Sequence, residues 1–239
     1  MGKILVFMYN DMADFEVIYA THLLGHELSK EIVPCAYHME PVKSKGGMVF
    51  LPSVTVAGAK VEDYEGFIIP GGWNPVVREE MLELIRGFYN SGKLLAAICA
   101  GPRFLAKAGI LDKVKYTTSI VEWNEMRRAQ FKEEDPFPRG NFVNARVVRD
   151  GSVITSKGIS FVDFAVEVAD YFGQFKDEAE KQAFFNTITD VSDGRRHIAN
   201  IFYENGRLIW GKPFWSQVHP EGSGRILPGF LLPGTIMSL

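Results

Sequence analysis

Residues 93–111 read KLLAAICAGPRFLAKAGIL. A short apolar strand, 94–98, runs into Cys99 and then, without an ordinary turn, into a helix reaching about Ala108. Within Ala97-Ile98-Cys99-Ala100-Gly101 the small side chains on both sides of the cysteine let the backbone fold tightly. The middle residue then projects above the end of a sheet, which is the mechanics of a nucleophile elbow. A thiol in that place sits at a helix N-terminus, where the positive dipole end and free N–H groups favour thiolate, so its pKa is expected below the free value of about 8.5. The alternative is a core cysteine in a tight packing site. Small–x–Cys–x–Gly behind a buried strand is hard to explain by packing alone, which favours the reactive reading.

Working outward, strand-type and helix-type segments alternate, the pattern of a parallel sheet with helices on both faces. Residues 3–9 (KILVFMY) are nearly all apolar, as a central strand requires. A helical pattern follows over 14–28, with Asp14 or Asp11 as its N-cap. Residues 32–37 predict a strand, and 48–56 a hairpin or edge excursion after Lys45-Gly46-Gly47. Residues 66–70 (GFIIP) predict a buried strand ending in Gly71-Gly72. Asn74 as N-cap and Pro75 at the first helical position predict a helix over 76–89. Strands at 143–149 and 152–156 flank Asp150-Gly151, and a helix is expected over 161–172. Residues 132–140 read as a charged, Pro-containing loop. The first domain is placed at 1–176. An extension, 177–239, carries a hairpin signal where 197–203 and 207–210 flank Asn205-Gly206, then a Gly/Pro-rich apolar segment that must pack on its own domain or on a second subunit.

The 239 residues, 46% hydrophobic with a formal net charge of −3, suit one α/β domain plus an appendage. No basic excess exists to track phosphates, so nucleic acid is excluded as a partner. Apolar runs are strand-length, and the N-terminus lacks the layout of a signal peptide; a cytoplasmic protein without a membrane partner is expected. Two cysteines, Cys35 and Cys99, make no disulfide framework, and no Cys/His cluster stands at zinc spacing. No metal and no cofactor are expected. Cys35 reads as a small buried hydrophobe. His22 and His26 share a helix face but lack a third ligand. His38, His197 and His219 are scattered.

Glu16 is the second candidate. It lies between Phe15 and Val17 just beyond the first strand, and if that strand is central its carboxyl can reach Cys99. Buried among apolar groups, such a carboxyl resists ionisation and can deliver a proton. The competing reading is a solvated first-turn acid that complements the helix dipole. Free N–H groups at the elbow, with those after Pro70-Gly71-Gly72, would hold a developing oxyanion at the carboxyl ends of parallel strands.

Taken together, KILVFM, Glu16, IIPGG at 68–72, LLAAICAGP at 94–102 and VITSKGISFVDFAVEVAD at 153–170 resemble the ThiJ/PfpI superfamily. Its members share the flavodoxin-like core of class I glutamine amidotransferases. The resemblance implies a reactive Cys99, a protonated partner at Glu16 and an oxyanion pocket of backbone around Gly71, Gly72 and Ala100. Peptidase-like members carry a histidine directly after the cysteine; here Ala100 stands there, so a protease is not expected. Other members bring a histidine from the strand matching Tyr116-Thr117-Thr118-Ser119, where this chain has Ser119. Trp73 after Gly72 and Arg103 after Pro102 depart from the pattern; Trp73 and Ser119 are placed at the pocket. The resemblance implies an isonitrile-hydratase-like or deglycase-like enzyme, a hydrolase or lyase acting on a small electrophile, commonly as a homodimer. The alternative is an oxidation-sensing or stress-response protein with Cys99 as the sensor.

Overall fold

The computed structural model describes residues 2–74 and 76–189, and beyond them the backbones of two strands, 201–204 and 207–210. Nine strands lie in the first part: β1 (Lys3–Phe7), β2 (Glu31–Ala36), β3 (Val42–Lys43), β4 (Val49–Phe50), β5 (Val54–Thr55), β6 (Gly66–Ile69), β7 (Leu94–Ile98), β8 (Val147–Asp150) and β9 (Val153–Ser156). Seven of them form the main sheet in the order β5-β2-β1-β6-β7-β9-β8. All neighbours run parallel except β8, which pairs antiparallel with β9 at the edge. β1 is central: Leu5 stands opposite Val33 on one side and Phe67 on the other. This position explains its composition, since Ile4 through Phe7 have no solvent exposure on either face.

Among the described residues six α-helices accompany the sheet: α1 (Phe15–His22), α2 (Glu79–Asn90), α3 (Pro102–Lys107), α4 (Glu125–Phe131), α5 (Phe161–Tyr171) and α6 (Glu178–Thr189). From β1 the chain crosses through α1 to β2 on one side; from β6 it crosses through α2 to β7 on the other. Right-handed crossovers in opposite directions put the two helices on opposite faces. The architecture is a flavodoxin-like α/β sandwich. Its strand order reverses at β1 and β6, and the carboxyl ends of β1, β6, β7 and β9 meet at one rim, where such sheets bind ligands.

Several boundaries differ from the sequence expectation, each for a local reason. α2 begins at Glu79 rather than 76, because the preceding segment is tied down: Tyr37 Oη donates to the Val76 carbonyl and accepts from the Arg78 N–H, both at 3.2 Å. Asn74 Oδ1 accepts from Val76 N at 3.1 Å, a turn rather than a helix cap. Pro75 lies outside the described residues. The 48–56 stretch splits, β4 pairing back on β3 and β5 adding to β2 at the sheet edge. Strand β8 is shorter than expected, because Val143 N–H bonds the Tyr116 carbonyl at 2.8 Å instead of continuing the ladder.

α1 continues as a π-turn over Leu23–Glu27. Asp14 caps it, accepting from Phe15 N, and also accepts from Ser44 Oγ at 2.7 Å. The chain divides into two compact units, Met1–Ile188 and Thr189–Leu239. In the second, β10 (Ile201–Glu204) and β11 (Arg207–Trp210) pair antiparallel, while Asn205, Gly206 and residues 211–239 lie outside the described residues. Among the described residues no helix is long and apolar enough to cross a membrane.

Candidate active site

Cys99 follows β7 directly and adopts φ 63°, a left-handed conformation that is costly for any residue with a side chain. Surrounding bonds impose it. Cys99 N–H donates to the Ser156 carbonyl at 2.8 Å, and the Cys99 carbonyl accepts from Thr118 Oγ1 at 2.7 Å and Ser119 N–H at 3.0 Å. Gly101 completes the turn because a Cβ there would stand 2.5 Å from the Ile69 carbonyl oxygen. The elbow read from AICAG is therefore present, and it turns the thiol away from the strand toward the rim. Cys35, by contrast, is fully buried in β2, where burial pushes its thiol up to about 12.

Glu16 sits in the first turn of α1 and is only 2% exposed. Its Oε2 accepts from the Gly71 N–H at 2.7 Å, and its carboxyl hydrogen-bonds the Cys99 thiol. The buried reading of this acid holds, and the solvated one does not. Burial pushes the carboxyl up to about 7, against the hydrogen bonds from Cys99 and Gly71. Behind the pair, Tyr9 Oη donates to the Pro70 carbonyl at 3.2 Å and fixes the end of β6.

The thiol departs from the sequence expectation of a lowered pKa. Burial first, then the charge of Glu16 and its hydrogen bond, push Cys99 up to about 12, while Ser119 and the Ala100 N–H pull it down. The helix dipole is weak here because α3 has just six residues. Glu16 and Cys99 thus form a hydrogen-bonded pair whose titrations are linked.

The other sequence candidates fall into place unequally. Ala100 and Ser119 both act on the sulfur. Gly71 touches the site but spends its N–H on Glu16, so it is not a free oxyanion donor. Gly72 forms an isolated bridge with Met12. The Trp73 ring is exposed under the Lys45 ammonium, 5.6 Å from its centroid, and the backbone N–H of Trp73 donates to the Asp11 carbonyl. Arg103 points elsewhere: nearly fully buried, it bonds Glu133 at 2.5 Å and stacks on Phe131.

Among the described residues no histidine is one of the groups acting on Cys99. His22 and His26 stack on each other, His38 bonds Arg78, and His197 and His219 lie outside the described residues. Among the described residues no cluster of three His, Cys, Asp or Glu side chains could hold a metal. Sequence reasoning passed over Gly158, which backs onto both Cys99 and Glu16. The available signal was its place just beyond β9, the parallel neighbour of β7, whose carboxyl end must border the elbow.

Comparison with known proteins agrees with this fold. Residues 2–171 match the DJ-1/PfpI family. An uncharacterised protein of Archaeoglobus fulgidus is 32% identical over 158 residues, covering 65% of this chain and 88% of its own. The deglycase PfpI of Pyrococcus furiosus is 28% identical over 149 residues, 60% of this chain and 89% of its own. The crystal structure of a DJ-1 superfamily protein from Agrobacterium tumefaciens is similar with a TM-score of 0.66 and 27% identity, over 80% of this chain and 99% of that one. With a family match over most of its length and the same fold in a solved relative, the chain belongs to the DJ-1/PfpI family.

Proposed function

We propose that the protein is a cysteine-dependent enzyme that adds water to a small electrophile, with Cys99 as nucleophile and Glu16 as its proton partner. What supports this reading above all is a strained, rim-facing thiol hydrogen-bonded to a buried carboxyl that titrates near neutrality. Glu16 takes the thiol proton as sulfur bonds to the electrophilic carbon. The displaced electron pair moves onto the attached heteroatom, which receives that proton. The backbone N–H of Gly72 is the donor for the developing charge, joined by that of Ala100 once the sulfur it bonds has become a thioether. Water then bonds to the carbon, the S–C bond breaks with its pair returning to sulfur, and Glu16 carries the proton released by water back to the thiolate; from an aldehyde–amine adduct the carbinolamine so formed passes its hydroxyl proton to nitrogen as the C–N bond breaks with its pair, releasing aldehyde and amine. Relatives named deglycases, such as that of Pyrococcus furiosus, favour a reactive aldehyde adduct as the electrophile. Neither a histidine base nor a protease-type dyad is part of this scheme.

The test is turnover of aldehyde–amine adducts, read as released amine. Cys99→Ser is expected to lose at least about a thousandfold in kcat/KM. A Cys99→Ser protein that turns over at the wild-type rate removes the assignment.

A second reading, an oxidation sensor, is favoured by the same Glu16, whose protonated form, well populated at neutral pH, would hydrogen-bond an oxygen added to the sulfur. Mass spectrometry after graded peroxide separates the two. A sensor gains oxygen selectively at Cys99 at low peroxide and shows no turnover of the adducts.

A further inference from the structure

We propose that Ser119 is a catalytic residue whose hydroxyl, aimed by the Gly158 N–H, donates its proton to the Cys99 sulfur and stabilises the thiolate before attack. The inference rests on the reading of Cys99 as nucleophile and adds what holds the charge once the proton has left.

The argument begins with the hydroxyl's capacity: one proton to give and two lone pairs to fill. Gly158 N–H fills a lone pair at 2.9 Å. Ser119's own N–H donates to the Cys99 carbonyl at 3.0 Å, which locks the serine backbone to the elbow. The hydroxyl proton is then the group left to meet the sulfur, with which Ser119 makes a side-chain hydrogen bond. An O–H donor favours the anionic sulfur over the neutral thiol.

Gly158 makes this approach possible. A Cβ there would lie 3.0 Å from Cys99 Sγ and 2.7 Å from Glu16 Oε1, so the absence of a side chain lets its backbone reach the pair. A serine hydroxyl at neutral pH does not accept the thiol proton. The labour therefore divides: the S–H proton moves to the Glu16 carboxylate, and Ser119 keeps its proton and shares it with the sulfur. Gly158 is a positioning residue, acting through Ser119.

Alkylation of Cys99 by iodoacetamide, followed peptide by peptide from pH 5 to 10 on the full chain, tests this without any substrate. Ser119→Ala is expected to react about tenfold more slowly at each pH across this range. Its melting temperature should stay at the wild-type value, since the side chain is exposed and the backbone bond remains. Ser119→Thr, which keeps the hydroxyl, should restore the wild-type rate.

A Ser119→Ala profile that coincides with wild type overturns the proposal, as does a slow Ser119→Ala that Ser119→Thr fails to rescue. A wild-type Cys99 inert at every pH overturns the nucleophile reading as well. A failure of the hydroxyl alone is therefore distinguishable from a failure of the site.

Discussion

Glu16 shows how one carboxyl links chemistry to stability. Its folded pKa of about 7 exceeds the ordinary 4.5, so the folded chain binds a proton more tightly than the unfolded chain. The sign follows: its favourable contribution is fully present below about 4.5 and is lost as pH rises through about 7. The loss amounts to about 3 kcal/mol by linkage. Glu16→Gln keeps an oxygen for the Gly71 N–H and carries no charge. Urea unfolding should therefore find it close to wild type at pH 4.5 and more stable by up to about 3 kcal/mol at pH 8. An equal difference at both pH values would mean that this carboxyl does not titrate in the folded protein. The sequence brought this residue to notice but left its burial open. What decides it is the Gly71 N–H, which the β1–β6 register delivers from far along the chain.

At the scale of elements, the fold was legible wherever burial on two faces leaves only apolar residues, as in KILVF and LLAAI, and wherever small residues must surround a sharp turn, as in AICAG. It was illegible where a distant side chain sets the boundary: Asn74 and Pro75 advertise a helix, yet Tyr37 from the end of β2 holds the segment extended until Glu79. The lowered thiol pKa was misjudged for a related reason, since burial and a neighbouring acid outweigh a short helix's dipole. The β3–β4 hairpin depends on the same kind of remote contact. Asp14, the buried cap of α1, accepts from Ser44 Oγ at 2.7 Å, and Ser44 Oγ in turn accepts from Met48 N–H at 3.1 Å. Ser44→Ala removes both bonds and should cost about 1 to 3 kcal/mol. Its signature is local: in hydrogen exchange the amides of Ser44 and Met48 should lose protection while those of β1 keep it. Unchanged protection in the hairpin would show that its register does not rely on this bond.

On the scale of the whole molecule, composition shifts near 177, but packing does not break there. α6 carries Lys181 to the α5 carboxylates, 2.5 Å from Glu167 and 3.3 Å from Asp170, with a side chain only 14% exposed. Phe184 meets Phe175 at 5.3 Å between centroids. Composition could not reveal this, because α6 has no fully buried residue and reads as a polar segment. We propose that the first folding unit ends with α6 and not at 176, in keeping with the division between Ile188 and Thr189. Removing α6 strands Glu167 and Asp170 beside each other with Arg149 as their remaining recorded cation. A chain ending at Lys176 should therefore melt several degrees below one ending at Thr189, the loss of a partly buried ion cluster and an aromatic contact being worth about 1 to 3 kcal/mol. The longer of the two should alkylate Cys99 at the full-length rate, since every group recorded on the sulfur lies before residue 160. Equal melting temperatures for the two would place α6 outside the unit, and the boundary would return to 176.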